Sequence, residues 1–452
     1  MTRLFRYFLV FTALFLTIGI VSAQESESIR GLHKVKKKET IFGISRMYDI
    51  SIDELINANP EMKAPGFELK KGTILRIPYA GQTTVTAEKQ EVAPMAADDV
   101  RNRAIRLGVM LPLHDVNGDG RRMVEYYRGV LMACDSLKKL GISVDVHAWN
   151  TAEDSDIQKF MEDKAAAKCD LIIGPLYSMQ MDALSAFVDK HDIQLLIPFS
   201  INAPQLTTNR HIFQVYRTQN EINEASVNLF VDQFRNFHPV IIDCNDSTSR
   251  KGSFTASLRR QMEVKGIAYS LTNLRQPEES FAKAFSKEKS NVVILNTSRS
   301  QELGVAFSKL NGLKVNVPEL NITMFGYAEW LMYTGKHLEN LYKYNTYVPS
   351  VFYYNPLSTA TQRLHQKYRW NFHTDMQNRQ PRLAITGFDQ AYFFLMGLHK
   401  YGKSFNGAAG LLGYEPVQTP LKFERYGNGG LRNTMMLLVH YMPDHRVETL
   451  KF

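Results

Sequence analysis

The sequence predicts an α/β protein in which a small strand–helix–helix–strand (βααβ) module precedes a two-lobed, doubly wound α/β domain. Three observations predict it. Between His33 and Pro78 two short apolar strands flank two stretches with helical spacing. From Ala104 almost to the end, strand-like apolar runs alternate with amphipathic helical stretches, the pattern of βαβ units and parallel sheets. That alternation comes in two successive series that break near Tyr216, and two such series make two lobes with a cleft between them. A chain of 452 residues has room for two or three domains, and 44% hydrophobic with 22% charged residues is ordinary for a globular protein.

The first residues read as an export signal. Arg3 and Arg6 precede an apolar run from Tyr7 to Val21, which ends in Val21-Ser22-Ala23. A charged start, an apolar middle and a small-residue end predict cleavage after Ala23, so residues 1–23 are a signal peptide and the remainder works in the periplasm or cell envelope. No cysteine stands near that point to carry a lipid anchor. With export predicted, the net charge of +9 points away from nucleic acid and toward anionic wall polymers or simple surface solubility. Cys134, Cys169 and Cys244 have no metal-ligand or disulfide-framework spacing and are expected as buried thiols. No metal or cofactor is called for.

In the small module, His33-Lys34-Val35 and Ile74 to Pro78 read as strands. Ile41, Ile44, Ser45 and Tyr48 predict a first helix and Ile52, Leu55, Ile56 and Asn59 a second. Thr40 is placed to cap the first, and Ser51-x-x-Glu54 is a capping box for the second. The run from His33 to Tyr48, the run Ile50 to Pro60 with its Asn57-x-Asn59-Pro60 turn, and the ending Gly72-x-x-Leu75-x-Ile77-Pro78 together resemble a LysM domain over residues 33–78. That resemblance implies binding of N-acetylglucosamine glycans such as peptidoglycan. The groove it implies lies between Lys38, Glu39, Thr40 and Ile41 on one loop and Asn59, Pro60, Glu61 and Met62 on another. Lys38 stands where the family's Gly-Asp-Thr has glycine, so this turn lacks free access to positive φ. Residues 79–103, rich in Thr, Ala, Glu and Gln, are expected to be a flexible linker.

In the large domain, strands are expected at Ile105–Leu111, Val144–His147, Asp170–Pro175 and Gln194–Pro198. Helices are expected at Arg122–Leu140, Glu153–Ala167 and Ser178–His191. The second series runs helix Glu221–Phe237, strand Val240–Asp243, helix Phe254–Lys265, strand Ala268–Leu271, helix Glu278–Lys287 and strand Val292–Leu295. Leu107-Gly-Val-Met-Leu-Pro112, Tyr127-Arg-Gly129, Leu171-Ile-Ile-Gly-Pro-Leu176, Leu196-Ile-Pro-Phe-Ser200, Phe213-Gln-Val-Tyr216 and Gly387-Phe-Asp389-Gln-Ala391 resemble, in order and spacing, the type I periplasmic-binding-protein fold of branched-chain amino-acid receptors. The resemblance spans 104–452 and implies three crossings between lobes: near Tyr216, near Tyr344 to Tyr354, and near Pro416 to Phe423. Lobe 1 is then about 104–216 with 347–415, and lobe 2 about 217–346, with 416–452 near the hinge.

Cleft candidates that follow strands are His114, Asp115, Tyr177, Ser178, Ser200 and Ile201 in lobe 1 and Asn245, Thr297 and Tyr327 in lobe 2. The resemblance gives Ser178 and Ser200 the part of holding an amino acid's carboxylate; no carboxylate for its ammonium stands out. Asp115-Val-Asn117-Gly-Asp119-Gly120 matches the front of an EF-hand loop, yet Tyr126 occupies position twelve and Glu125 comes one residue early, so it reads as a polar turn. No Gly-x-Ser-x-Gly or His-Glu-x-x-His occurs, and no cysteine sits in a nucleophile context. The expected function is therefore non-catalytic: a peptidoglycan-attached binding protein with a small ligand, such as an amino acid or wall fragment, in its cleft. The alternative is a regulator or scaffold of envelope assembly whose second domain meets a protein partner, an arrangement found in an outer-membrane activator of peptidoglycan synthases. A peptidoglycan hydrolase is the remaining alternative. The pairing of the two domains also resembles envelope proteins of Bacteroidetes-type bacteria.

Overall fold

The computed structural model describes residues 29–37, 39–48, 50–63, 67–78, 98–408, 410 and 412–452. The expected signal peptide, most of the expected linker and Lys38 lie outside them. The chain divides into two compact units, residues 1–86 and 87–452.

In the first unit, β1 (Ile29–Lys34) pairs antiparallel with β2 (Ile74–Pro78), and α1 (Ile41–Met47) and α2 (Ile52–Asn57) lie between them in sequence. The caps form as the residues dictate. Thr40 Oγ1 accepts from the Gly43 amide at 3.0 Å, and Ser51 and Glu54 exchange side-chain-to-backbone hydrogen bonds. Val35, Ile44, Ile50, Leu55, Met62, Leu75 and Ile77 make the core. For so small a core a polar lock matters. Asn59 is fully buried. Its Nδ2 donates to the Leu55 and Arg76 carbonyls (2.7 and 2.8 Å), and its Oδ1 accepts from the Arg76 amide (2.7 Å), which fastens the end of α2 to β2.

The second unit holds two seven-stranded sheets. The first is built from β3 (Ile105–Leu111), β4 (Val144–Asn150), β5 (Leu171–Ile173), β6 (Gln194–Ile197) and β7 (Ile212–Gln214), with α3 (Gly118–Lys138), α4 (Ile157–Met161) and α5 (Met181–His191) between strands. The chain then enters the second lobe through α6 (Gln219–Gln233), β8 (His238–Asp243), α7 (Gly252–Val264), β9 (Ser270–Asn273), α8 (Glu278–Ala282), β10 (Asn291–Leu295), α9 (Ser300–Asn316), β11 (Ile322–Phe325), α10 (Thr334–Lys343) and β12 (Tyr347–Ser350). It returns to the first lobe for α11 (Thr359–Phe372), α12 (Leu383–Tyr401), β13 (Phe423–Arg425) and β14 (Leu431–Asn433), and ends in the second with β15 (Leu437–Tyr441) and β16 (Val447–Lys451). The orders are β13-β14-β7-β6-β5-β3-β4 and β16-β15-β12-β11-β10-β8-β9. Strands β3 to β7 and β8 to β12 are parallel, β14 joins β7 in parallel, and one edge of each sheet is an antiparallel strand, β13 in the first and β16, beyond β15, in the second. Alternate residues of the first sheet feed two cores: Leu107, Val109, Leu111 and Ile173 on one face, Met110 and Ile172 on the other.

The first core also takes in α3 and α12, which pack backbone to backbone. A Cβ added at Gly129 would overlap the Ala384 carbonyl, and one at Gly387 the Tyr126 carbonyl, so both positions need glycine. This reciprocal contact accounts for two of the short sequence motifs.

Several boundaries differ from expectation. Only Ile157–Met161 of 153–167 is α-helical, because Asp163 accepts from the Ala165 amide and the Trp149 indole and turns the chain. Helix α8 stops at Ala282. The loop beyond is held by Asn291, which accepts from the Ser286 amide and donates to its carbonyl. The end of the expected linker belongs to the large unit: Val100 is buried, and Arg103 donates twice to Asp170 at 2.8 Å. Strand β12 sits in the second sheet, whereas lobe 1 was expected to resume at residue 347. The third crossing is at residues 434–436, after β13 and β14, instead of Pro416 to Phe423. A short antiparallel pair that joins an existing parallel sheet carries little periodic signal of its own.

Replacing Asn59 with Ala leaves buried backbone groups on α2 and β2 unpaired. It is expected to cost about 2–4 kcal/mol, read as faster amide hydrogen exchange across residues 33–78 with exchange in residues 98–452 unchanged.

Candidate functional site

In the small unit the two loops of the implied glycan groove are unequal. Glu39 Oε2 accepts from the Lys36 amide and lies 2.8 Å from His33 Nε2, so its carboxylate braces its own turn, and its pKa is lowered first by that amide and next by His33. Thr40 is committed as a cap. Asn59 and Met62 have buried side chains, Asn59 in its hydrogen bonds to α2 and β2 and Met62 in the core, whereas both were expected on the groove. Thr40, Pro60 and Glu61 are exposed, and Ile41 is half-buried against the core cluster that contains Met62.

In the large unit both sheets have the strand order 2-1-3-4-5 in their parallel part, which places a topological switch point between β3 and β5 and another between β8 and β10. The protein spans both with its own side chains. At the first, the Tyr177 hydroxyl donates to Asp119 at 3.3 Å. The His114 ring packs on Gly120 in the first turn of α3, and Asp115 is exposed, 3.7 Å from Arg121. Asn117 caps α3 by accepting from the Gly120 amide at 2.8 Å, so the EF-hand-like stretch is a helix start. At the second, the buried Thr297 hydroxyl donates to Asp246 at 2.8 Å. Asp246 is held down to about 2, first by Thr248 and then by Thr297. Asn245 takes a left-handed turn (φ 56°) with its amide on Asp243. The Tyr327 hydroxyl is spent on the Leu295 carbonyl. Ser178 Oγ accepts from the Asn202 amide, and the Ile201 carbonyl from Gln214.

In lobe 2 a cavity of about 370 Å³ opens at the strand ends against Asp243, Asn273 and Asn296, and further space lies beside the hinge. A cavity of about 360 Å³ is lined by Met123, Leu176, Phe199, Ser200, Tyr216, Phe352 and Leu383, among others, with Arg122 and Arg379 at its edge. A second, of about 250 Å³, lies on the lobe 2 side against Tyr327, Lys251 and Glu329, and shares Val351 and Phe352 with the first. Of the nine cleft candidates, Ser200 lines the first and Tyr327 the second; the other seven line neither. Sequence reading missed Phe352, Arg379 and Leu383 because they sit on a crossing segment, ahead of a helix and at that helix's first residue, away from strand ends. Phe199 lay within a motif already singled out.

Three sets of contacts tie the crossings together. Arg217 donates to the Asn433 and Thr434 carbonyls, which joins the first crossing to the third. Arg432 of lobe 1 pairs with Glu221 of α6 in lobe 2. The Tyr353 amide donates to the Gln418 carbonyl at 3.0 Å. Behind these stands Asp389 on α12, fully buried, which accepts from Tyr414 Oη and the amides of Val417, Gln418 and Thr419 at 2.7–3.1 Å. Burial pushes its carboxyl up to about 6 against those four donors. The thiols of Cys169 and Cys244 are buried and that of Cys134 half-buried, and burial raises all three to about 12.

Comparison with known proteins agrees with this architecture. The large unit has the two-lobed fold of type I periplasmic binding proteins. A structure described as a branched-chain amino acid ABC transporter from Rhodospirillum rubrum superposes with a TM-score of 0.54 at 14% identity, over 77% of this chain and 100% of that one. An ABC transporter substrate-binding protein from Desulfitobacterium hafniense in complex with Leu matches at 16% identity over the same shares, TM-score 0.44. Full-length LpoA from Haemophilus influenzae matches at 16% identity over 78% of this chain and 60% of its own, TM-score 0.47. The small unit is a LysM domain: that family's profile matches residues 33–78. No curated protein matches the chain. Among the described residues no helix is long and apolar enough to cross a membrane.

A folded-state pKa above the unfolded value of 3.8 means that the folded protein binds the Asp389 proton more tightly. This contribution to stability is full below about pH 4 and is lost as pH rises through about 6. The melting temperature of the native chain relative to Asp389→Asn should therefore fall between about pH 4.5 and pH 7.5; a relative rise contradicts this.

Proposed function

We propose that this chain is a non-catalytic cell-envelope protein, exported by a cleaved signal peptide, which attaches to peptidoglycan through its LysM domain and binds a small ligand between the lobes of its second domain. The observation that carries the second half is the hinge-side cavity of about 360 Å³, within the size range of small-molecule sites and walled mostly by apolar side chains with a few polar groups. Its walls come from lobe 1 and from the second crossing, so an occupant there touches the segment that bends when lobes close. The LysM match over 33–78 supports the first half. In that groove Thr40, Pro60, Glu61 and Ile41 are the residues proposed to meet sugar.

A second reading has its own observation. Both switch points are bridged internally, while Val116 (86% exposed) and Met179 (69%) stand bare on the loops beyond β3 and β5. Apolar side chains so placed suit a protein partner, as expected of an envelope regulator.

Two measurements separate the parts. The whole chain is expected to sediment with insoluble peptidoglycan and a chain lacking residues 33–78 to stay in solution; sedimentation of the truncated chain refutes the tether. In a thermal-shift screen of amino acids, organic acids and muropeptides, at least one small molecule is expected to raise the melting temperature; a ligand at a hundred times its Kd stabilises by about 2.7 kcal/mol. No shift with any of them leaves the partner reading in place.

A further inference from the structure

The hinge cavity has an uneven charge. Its walls are apolar or aromatic: Leu176, Phe199, Tyr216, Phe352, Leu383. At its edge stand two guanidinium groups, and the cavity extends there into a neighbouring one lined by Gly118, Arg121, Arg122, Gln377 and Arg379. Arg122 is paired with Asp119, and Arg121 lies 3.7 Å from Asp115. Arg379 is different. Among the described residues no carboxylate lies within ion-pair distance of it, and burial, then the charge of Arg122, lower its pKa. The backbone on either side of it is nevertheless held. The preceding Gln377 donates its amide to the buried Glu125 at 3.0 Å and its side chain to the Arg121 carbonyl at 3.1 Å, and Arg382 donates its amide to Gln418. The loop thus holds a cation without a counter-ion at the mouth of an apolar chamber. Among the described residues no Asp or Glu lines that chamber.

We infer that the cleft ligand is an organic carboxylate with a compact aryl or branched-alkyl body and no ammonium group, its carboxylate held by Arg379 with Arg122 and Ser200 and its body against Phe199, Tyr216, Phe352 and Leu383. This rests on the cleft-binding reading above and narrows it. A planar guanidinium accommodates a carboxylate in two parallel hydrogen bonds, while an ammonium carried into the same chamber loses its water and gains no opposite charge. The neutral amide of the same acid loses the charge and leaves Arg379 as it was.

The test uses the purified whole chain with hydrocinnamate, its amide and phenylalanine, and with isocaproate, its amide and leucine; within each trio the apolar body is held constant. Calorimetric titration is expected to show that at least one of the two carboxylates binds at least tenfold more tightly than its amide and than its amino acid. The Arg379→Gln chain, which loses no side-chain hydrogen bond or ion pair among the described residues, is expected to bind that acid about tenfold or more weakly with an unchanged melting temperature. An amino acid that binds as tightly as its deaminated acid, or an Arg379→Gln chain with undiminished affinity, overturns the inference and leaves the cleft-binding reading standing. Failure of both acids, while another molecule of the wider screen binds, likewise overturns the inference alone. If nothing in either set binds, both fall.

Discussion

The large domain depends on one buried carboxylate. Among the described residues no cation pairs with Asp389; four hydrogen-bond donors, three of them successive backbone amides, converge on it instead. A buried charge needs such satisfaction, and losing it costs several kcal/mol. What it secures is the segment 417–419 against α12. Gln418 extends the hold: its side chain bonds Arg382 and Thr386, and its carbonyl accepts from Tyr353 on the second crossing. Helix α12 is seated on α3 through the glycine contact at Gly129 and Gly387. One acid therefore references a crossing, the irregular segment 417–419 and the central helix pair of lobe 1 to a common point.

With that point fixed, the hinge has definite walls. Val351 and Phe352 emerge from β12 next to the clamped segment and are shared by the cavities on either side. The switch points are bridged by Tyr177 with Asp119 and by Thr297 with Asp246. The fold supplies two lobes and a bend, and these particular side chains leave a mostly apolar cavity at the bend. Fold alone does not decide what is bound; the lining does.

Much of this was legible in the sequence. The strands of both parallel series show as continuous apolar runs because they are covered on two faces, as at Val109–Leu111 and Val292–Leu295. The caps at Thr40 and Ser51 were legible because capping is a local transaction between neighbours. The glycine motifs were legible as motifs, though their reason, close approach of two helices 258 residues apart in sequence at Gly129 and Gly387, needed coordinates. The illegible parts are those decided by distant partners. Asn59 reads as a polar loop residue and is a core lock. Asp163 ends a helix through a tryptophan on another element. Arg379, on an irregular segment without periodicity, acquires its meaning only from the chamber it faces.

In the function proposed, the two lobes close over a ligand seated at this bend. Spin labels at Val116→Cys on the lobe 1 loop and Met332→Cys on the lobe 2 rim, both exposed, in a chain with Cys134 replaced by alanine, report the separation directly by pulsed electron resonance. The account predicts a distribution that moves to shorter distance when a cleft ligand saturates the protein. A distribution that does not move with the ligand bound contradicts it.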